Sequence, residues 1–149
     1  MKWPQRPRRV QTDHGAAAVE FALVVPILLL LVFGIIQYGM YFWAYQGGSD
    51  IARDAVRLSA VGDPATCTDF RNEVRGQITG LTGSGGTATI TRDYDSSGDV
   101  LVGDKVTVTV SFTSFDLQLP FLPFVNNGRV TSTAEAMVEY VPAPLEDCS

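Results

Sequence analysis

The chain has 149 residues, enough for one modest domain, and a formal net charge of −5 from 11 basic and 16 acidic residues. Lys2, Arg6, Arg8 and Arg9 all precede Gly15; after it 7 basic residues face 15 acidic ones, and an acidic body with no basic patch argues against nucleic-acid binding. Two cysteines are too few for a zinc site, and the single histidine, His14, leaves the body without a histidine base or ligand.

Residues 1–15 form a short basic leader. From Phe21 to Tyr45 the only strongly polar side chain is Gln37. As a helix these residues would span about 37 Å, against about 30 Å of bilayer hydrocarbon. The leading arginines set a topology with the N-terminus in the cytoplasm and the body outside. Tyr38, Tyr41, Phe42, Trp43 and Tyr45 gather at the outer end, as an interfacial aromatic belt does. A cleavable signal peptide, cut near Gly47-Gly48-Ser49, is the rival, but its apolar region should be shorter. Pro26 removes one backbone donor and predicts a kink or local loosening.

The helical pattern runs on through "GGSDIARDAVRLSAVGDP". Ile51, Ala55 and Leu58 share one face, with Ala52, Val56 and Ser59 beside it, and Gly62-Asp63-Pro64 stops the helix. Gly47-Gly48 is a weak point where it could bend. Ala44, Gly48 and Ala52 repeat at i, i+4, a strip where another helix could approach closely. Glu20 is the anomaly in the apolar run. A carboxylate well inside a bilayer costs about 2.5–3.5 kcal/mol even on the lenient insertion scale, so it needs a partner or an interfacial position.

In the body, Phe70, Val74, Ile78 and Leu81 predict a short amphipathic helix, ended by Gly80 and "TGSGG". Thr87–Tyr94, "KVTVTVSFT" and Arg129–Val141 read as strands, the second being the clearest because valines and Phe112 alternate with threonines and Ser111. Between the last two strands, "FDLQLPFLPFVNNG" is apolar for a loop. It either closes over the sheet or faces a partner subunit or the outer leaflet. Asp93, Asp95, Ser97 and Asp104 match part of a calcium-loop spacing, but strand flanks and an Asp at the last position favour a polar hairpin turn. Cys67 and Cys148 are a disulfide candidate if the region is exported; the bond would contribute about 4 kcal/mol by loop closure.

"HGAAAVEF" resembles the processing site of type IV pilin-like precursors. The wider string "GAAAVEFALVVPILLLLVFGIIQYG", then "ARDAVR" and a late "AMVEYV", is similar to TadE-like pseudopilins of the tight-adherence (Flp) pilus system. Gln37 is a departure, since relatives often carry an acidic residue there. The resemblance implies cleavage by a prepilin peptidase after Gly15, so that Ala16 becomes the first mature residue and Glu20 the fifth. The new amine at Ala16 would then lie one helical turn from Glu20, able to neutralise it in the same chain or in a neighbour.

The expected fold is α+β: a long N-terminal hydrophobic helix (16–61) packed on a small antiparallel β-sheet domain (62–149), after a leader (1–15). The expected role is structural, not enzymatic. The protein would be a minor pilin-like subunit in the cytoplasmic membrane, its partners being the prepilin peptidase, other pilin subunits, the assembly platform and membrane lipid. No cofactor, nucleic acid or small-molecule substrate is expected. A signal-anchored extracellular adhesin or binding module is the alternative, and a secreted β-domain cut near Ser49 a weaker one.

Overall fold

The computed structural model describes residues 14–82, 87–96, 98–119, 124–142 and 144–148. Its elements are α1 (His14–Ala60), α2 (Cys67–Thr82), β1 (Ala88–Tyr94), β2 (Lys105–Thr113), a 3-10 turn (Val125–Gly128) and β3 (Arg129–Met137). The chain divides into two compact units, residues 1–35 and 36–149. Within the first, Phe21, Leu23, Ile27 and Leu31 on α1 are exposed, and Pro26 lies inside the helix. The expected leader lies outside the described residues up to residue 13.

The second unit shows the expected α+β arrangement, and it takes in α1 from Ile36 onward as well as the residues after 61. Its sheet has the order β1-β2-β3, antiparallel throughout, with Ile90 opposite Val110 and Val110 opposite Ser132. Alternation along β2 buries Val106, Val108, Val110 and Phe112, and leaves Thr107, Thr109 and Ser111 on the outer face. There the hydroxyls of Thr109 and Thr133, and of Ser111 and Thr131, pair across strands at 3.1 and 3.0 Å. The apolar face is covered from two sides. Ala44, Ala52, Ala55 and Val56 of α1 and Phe70, Val74 and Ile78 of α2 join the valines in one core. Small α1 residues let the helix backbone come close; large α2 residues fill the remaining depth.

Each helix end has a chemical cause. Gly62 adopts φ +70°, its N–H donates to Ser59 O and that of Asp63 donates to Leu58 O; this is the paired bond pattern of a left-handed glycine stop. At the start of α2 the Thr66 hydroxyl accepts the Asp69 N–H, as an N-cap side chain does, and donates to the Asp69 carboxylate. α2 runs through Gly80 to Thr82 rather than ending at Gly80, and the "TGSGG" loop falls largely outside the described residues. β3 ends at Met137, not at Val141. Val138 still exchanges bonds at the hairpin, but the N–H groups of Glu139 and Tyr140 turn to Ala60 O, an orphan carbonyl at the end of α1.

Gly62→Ala is expected to lower the unfolding free energy by about 1–3 kcal/mol, because a Cβ there meets Pro142 and the left-handed backbone disfavours it. Chemical denaturation of the purified protein checks this; an unchanged midpoint would contradict it.

Candidate functional site

Gly15 and Ala16 lie in α1, and Ala16 and Glu20 stand one turn apart on the same face, both exposed. Among the described residues, a Cβ at Gly15 would touch nothing within 4 Å. Glycine costs about 0.5–1 kcal/mol relative to alanine in a helix, and packing among those residues gives no return for it. Gly39 is equally open, so space alone does not mark a recognition residue. What sets Gly15 apart is its place at the junction of leader and apolar run.

The strip of Ala44, Gly48 and Ala52 is a close-approach surface, but what approaches is the sheet. Ala44 and Ala52 are buried in the domain core, and a Cβ on Gly48 would come within 3.0 Å of the Phe112 ring and 3.3 Å of the Ser132 hydroxyl. The expectation of a second helix on this strip is therefore corrected: small residues at helical spacing report proximity without naming the neighbour. Gly47-Gly48 is likewise not a break. α1 is continuous through both, Gly47 lying under Leu81 of α2 and Gly48 under Phe112.

Gln37 turns out to hold the loop after β2. It is 3% exposed; its Nε2 donates to Phe115 O at 3.2 Å, and its Oε1 accepts the Leu117 N–H at 2.8 Å. One amide thus satisfies a donor and an acceptor of an irregular segment. Further along, the Phe124 ring packs edge-on against Tyr41, with centroids 5.6 Å apart, and also lies against Gly128. Gly128 has φ +72°, and its missing side chain is what makes room for the ring. Residues 120–123, with Phe121 and Leu122, lie outside the described residues.

At β1 a second polar side chain carries more. Arg92 is fully buried on the Ile90–Tyr94 face of the strand, stacked on the Phe70 ring at 4.5 Å. Its guanidinium donates to Pro64 O at 2.7 Å, to Ala65 O at 3.1 Å, and to Glu146 O from Nε and Nη2 at 3.2 and 2.8 Å. Every acceptor is a main-chain carbonyl. Burial pushes the guanidinium below its ordinary pKa, opposed by Tyr94, Asp147 and Glu146. Burial also pushes the Tyr94 hydroxyl up, while that hydroxyl donates to Ser59 O. The C-terminal tail is fixed to the same place. Arg92 and Cys148 exchange two main-chain bonds, the Asp147 carboxylate accepts the Tyr94 N–H, and the Glu146 carboxylate accepts the Cys67 N–H. Cys67 and Cys148 are joined in a disulfide with Cα atoms 5.4 Å apart, and their sequence separation is 81. Sequence reasoning missed Arg92, although the two-residue period of β1 places it on the inward face.

The calcium candidates fall on the β1–β2 hairpin. Asp93 faces outward opposite Thr107, the Asp104 carboxylate accepts the Leu101 N–H at 2.8 Å, and Ser97 lies outside the described residues. Among the described residues no three acidic, histidine or cysteine side chains gather to hold a metal ion. The pairing of Asp50 with Arg53, at 3.9 Å, is exposed and adds little.

Arg92→Met keeps volume and removes the donors to the Pro64, Ala65 and Glu146 carbonyls, Ala65 O keeping only a 3.4 Å bond from the Glu146 N–H. Stability is expected to fall by about 3 kcal/mol, with Arg92→Lys recovering less than half, because an ammonium cannot reproduce the planar fork. Urea unfolding of the three proteins checks this; a Met variant within about 0.5 kcal/mol of the parent would contradict it.

No curated protein and no solved structure matches the chain. A family model described as "TadE-like protein" matches residues 15–57. That stretch opens on Gly15, includes Glu20 and Gln37, and ends one turn short of the glycine stop of α1. Over residues 15–57, then, the chain is similar to TadE-like proteins.

Proposed function

We propose that the protein is a minor pilin-like subunit, a pseudopilin, of a tight-adherence (Flp) pilus assembly and secretion apparatus. α1 anchors it as a single pass in the cytoplasmic membrane, with the N-terminus inside and the α+β domain outside. A prepilin peptidase cuts after Gly15. The observation that carries this reading is the TadE-like match beginning at Gly15, where a basic leader meets an apolar helix. Two features support it. α1 is long and apolar enough to cross a membrane, and its apolar side chains before Ile36 are exposed rather than packed in a core. A disulfide in the domain suits an oxidising space outside the cytoplasm.

The work of such a subunit is packing. Cleavage frees an amine at Ala16, and the Glu20 carboxylate one turn away gains a cation at apolar depth. The pair neutralises itself within one chain or sets axial register against the amine of a neighbour, the role a single polar group plays in an apolar seam.

Intact-mass measurement on protein purified from its own cells should show a chain beginning at Ala16. Gly15→Leu should leave the full chain from Met1, with the domain's thermal unfolding unchanged, since a side chain at Gly15 meets nothing among the described residues. Uncut parent protein as the sole species, with an active prepilin peptidase present, would overturn the reading.

A further inference from the structure

We propose that Phe115 and Val125 enter the acyl–headgroup boundary of the outer leaflet, with Gln37 as the tether that holds the Phe115–Leu117 backbone there. This rests on the membrane reading of α1. Gln37 lies eight residues before Tyr45, the outer end of the apolar run, so it sits about 12 Å below that end along the helix. The headgroup layer of one leaflet is about 5–8 Å thick. Gln37 therefore lies beneath it, at the top of the hydrocarbon.

An amide at that depth needs its hydrogen bonds supplied by protein, and so does any irregular backbone beside it. Gln37 meets both demands together, through Phe115 O and the Leu117 N–H. In water the same backbone groups would be hydrated without help. The side chains agree with the backbone. Phe115 is 52% and Val125 46% exposed, and Phe42 and Trp43 on α1 are exposed as well. A polar groove begins close by, lined by Tyr41, Tyr45, Asn126, Asn127 and Arg129, where a guanidinium and two tyrosines suit a lipid phosphate. Asp116 limits the depth. It is exposed, and its carboxylate accepts the Gln118 N–H at 2.8 Å, so this residue belongs in the headgroup layer with Phe115 just below. The seating is thus interfacial, like that of a surface-lying amphipathic segment rather than a second span.

The test uses the full chain in phosphatidylethanolamine–phosphatidylglycerol vesicles, with single cysteines carrying a nitroxide; Cys67 and Cys148 are bonded to each other and do not take the label. Collision with oxygen, which concentrates in lipid, is compared with collision with a water-soluble nickel chelate. Phe115→Cys and Val125→Cys are the test positions, both exposed, so either can stand if the other misfolds. Leu30→Cys in the apolar run is the lipid reference. Leu101→Cys, beyond the start of β2 and about 30 Å along the sheet from Phe115, is the aqueous one. The oxygen-to-nickel ratio at 115 and 125 should exceed that at 101 at least fivefold, and Gln37→Ala should lower it at 115. Ratios at 115 and 125 equal to that at 101, with Leu30 in lipid, would overturn this proposal and leave the membrane reading intact. An aqueous Leu30 would overturn the membrane reading itself.

Discussion

The inward face of the sheet is made of Ile90, Val106, Val108, Val110, Phe112 and Val130, and three short strands cannot hide these from water by themselves. That need shapes the rest of the domain. α2 covers part of it with Phe70, Val74 and Ile78; α1 covers the remainder with alanines and a glycine, which bring its backbone close to Phe112. The second half of α1 is thus domain core, and its side chains are small where the sheet is near. Its first half has a different composition, rich in large apolar side chains that are exposed within this chain. One continuous helix changes from an apolar, exposed stretch to a part of the domain core, and the change falls between Ile35 and Gln37.

Two buried polar side chains hold the domain's non-regular segments to this frame. Gln37 holds the segment after β2, and Arg92 holds the α1–α2 connection and the C-terminal tail. Both work by donating to main-chain carbonyls that no strand or helix satisfies, and neither uses a carboxylate partner within a hydrogen bond. A neutral acceptor set suits a guanidinium whose charge is spread over a plane and stacked on Phe70. The disulfide closes the same corner covalently, so the tail is held by three chemically different means within a few residues. Tight fixation there keeps the end of α1 in place, because Glu139 and Tyr140 cap Ala60 immediately before the tail.

Much of this was legible in the residues. The alternation of "KVTVTVSFT" defines β2, and the face of Ile51, Ala55 and Leu58 with Ala52, Val56 and Ser59 beside it marks where α1 meets the core, although Ala52, Val56 and Ser59 are buried more deeply than Ile51 and Leu58. Gly62-Asp63-Pro64 stops the helix by a glycine the backbone requires. Other parts were legible only as half-statements. Ala44, Gly48 and Ala52 announce close approach, but a sheet and a helix leave the same mark. Arg92 follows the strand period onto the buried face, yet a charge in an otherwise polar string reads as solvated unless its acceptors are known. Those acceptors come from residues 64, 65 and 146, far away in sequence. Gln37 stood out as the single polar residue in the run, but its partners are 78 and 80 positions on. The end of β3 was misjudged for a related reason, since Glu139 and Tyr140 leave the sheet to satisfy a helix carbonyl.

The second half of α1 is part of the domain core, and paired fragments test this most directly. Residues 36–149 and residues 62–149, each exported to an oxidising compartment and purified, should differ completely in chemical unfolding. The longer should show one cooperative transition with side chains ordered by near-ultraviolet circular dichroism, and the shorter none. A fragment of residues 62–149 that unfolds cooperatively with the stability of the longer one would contradict the account, because the sheet would then not need the helix.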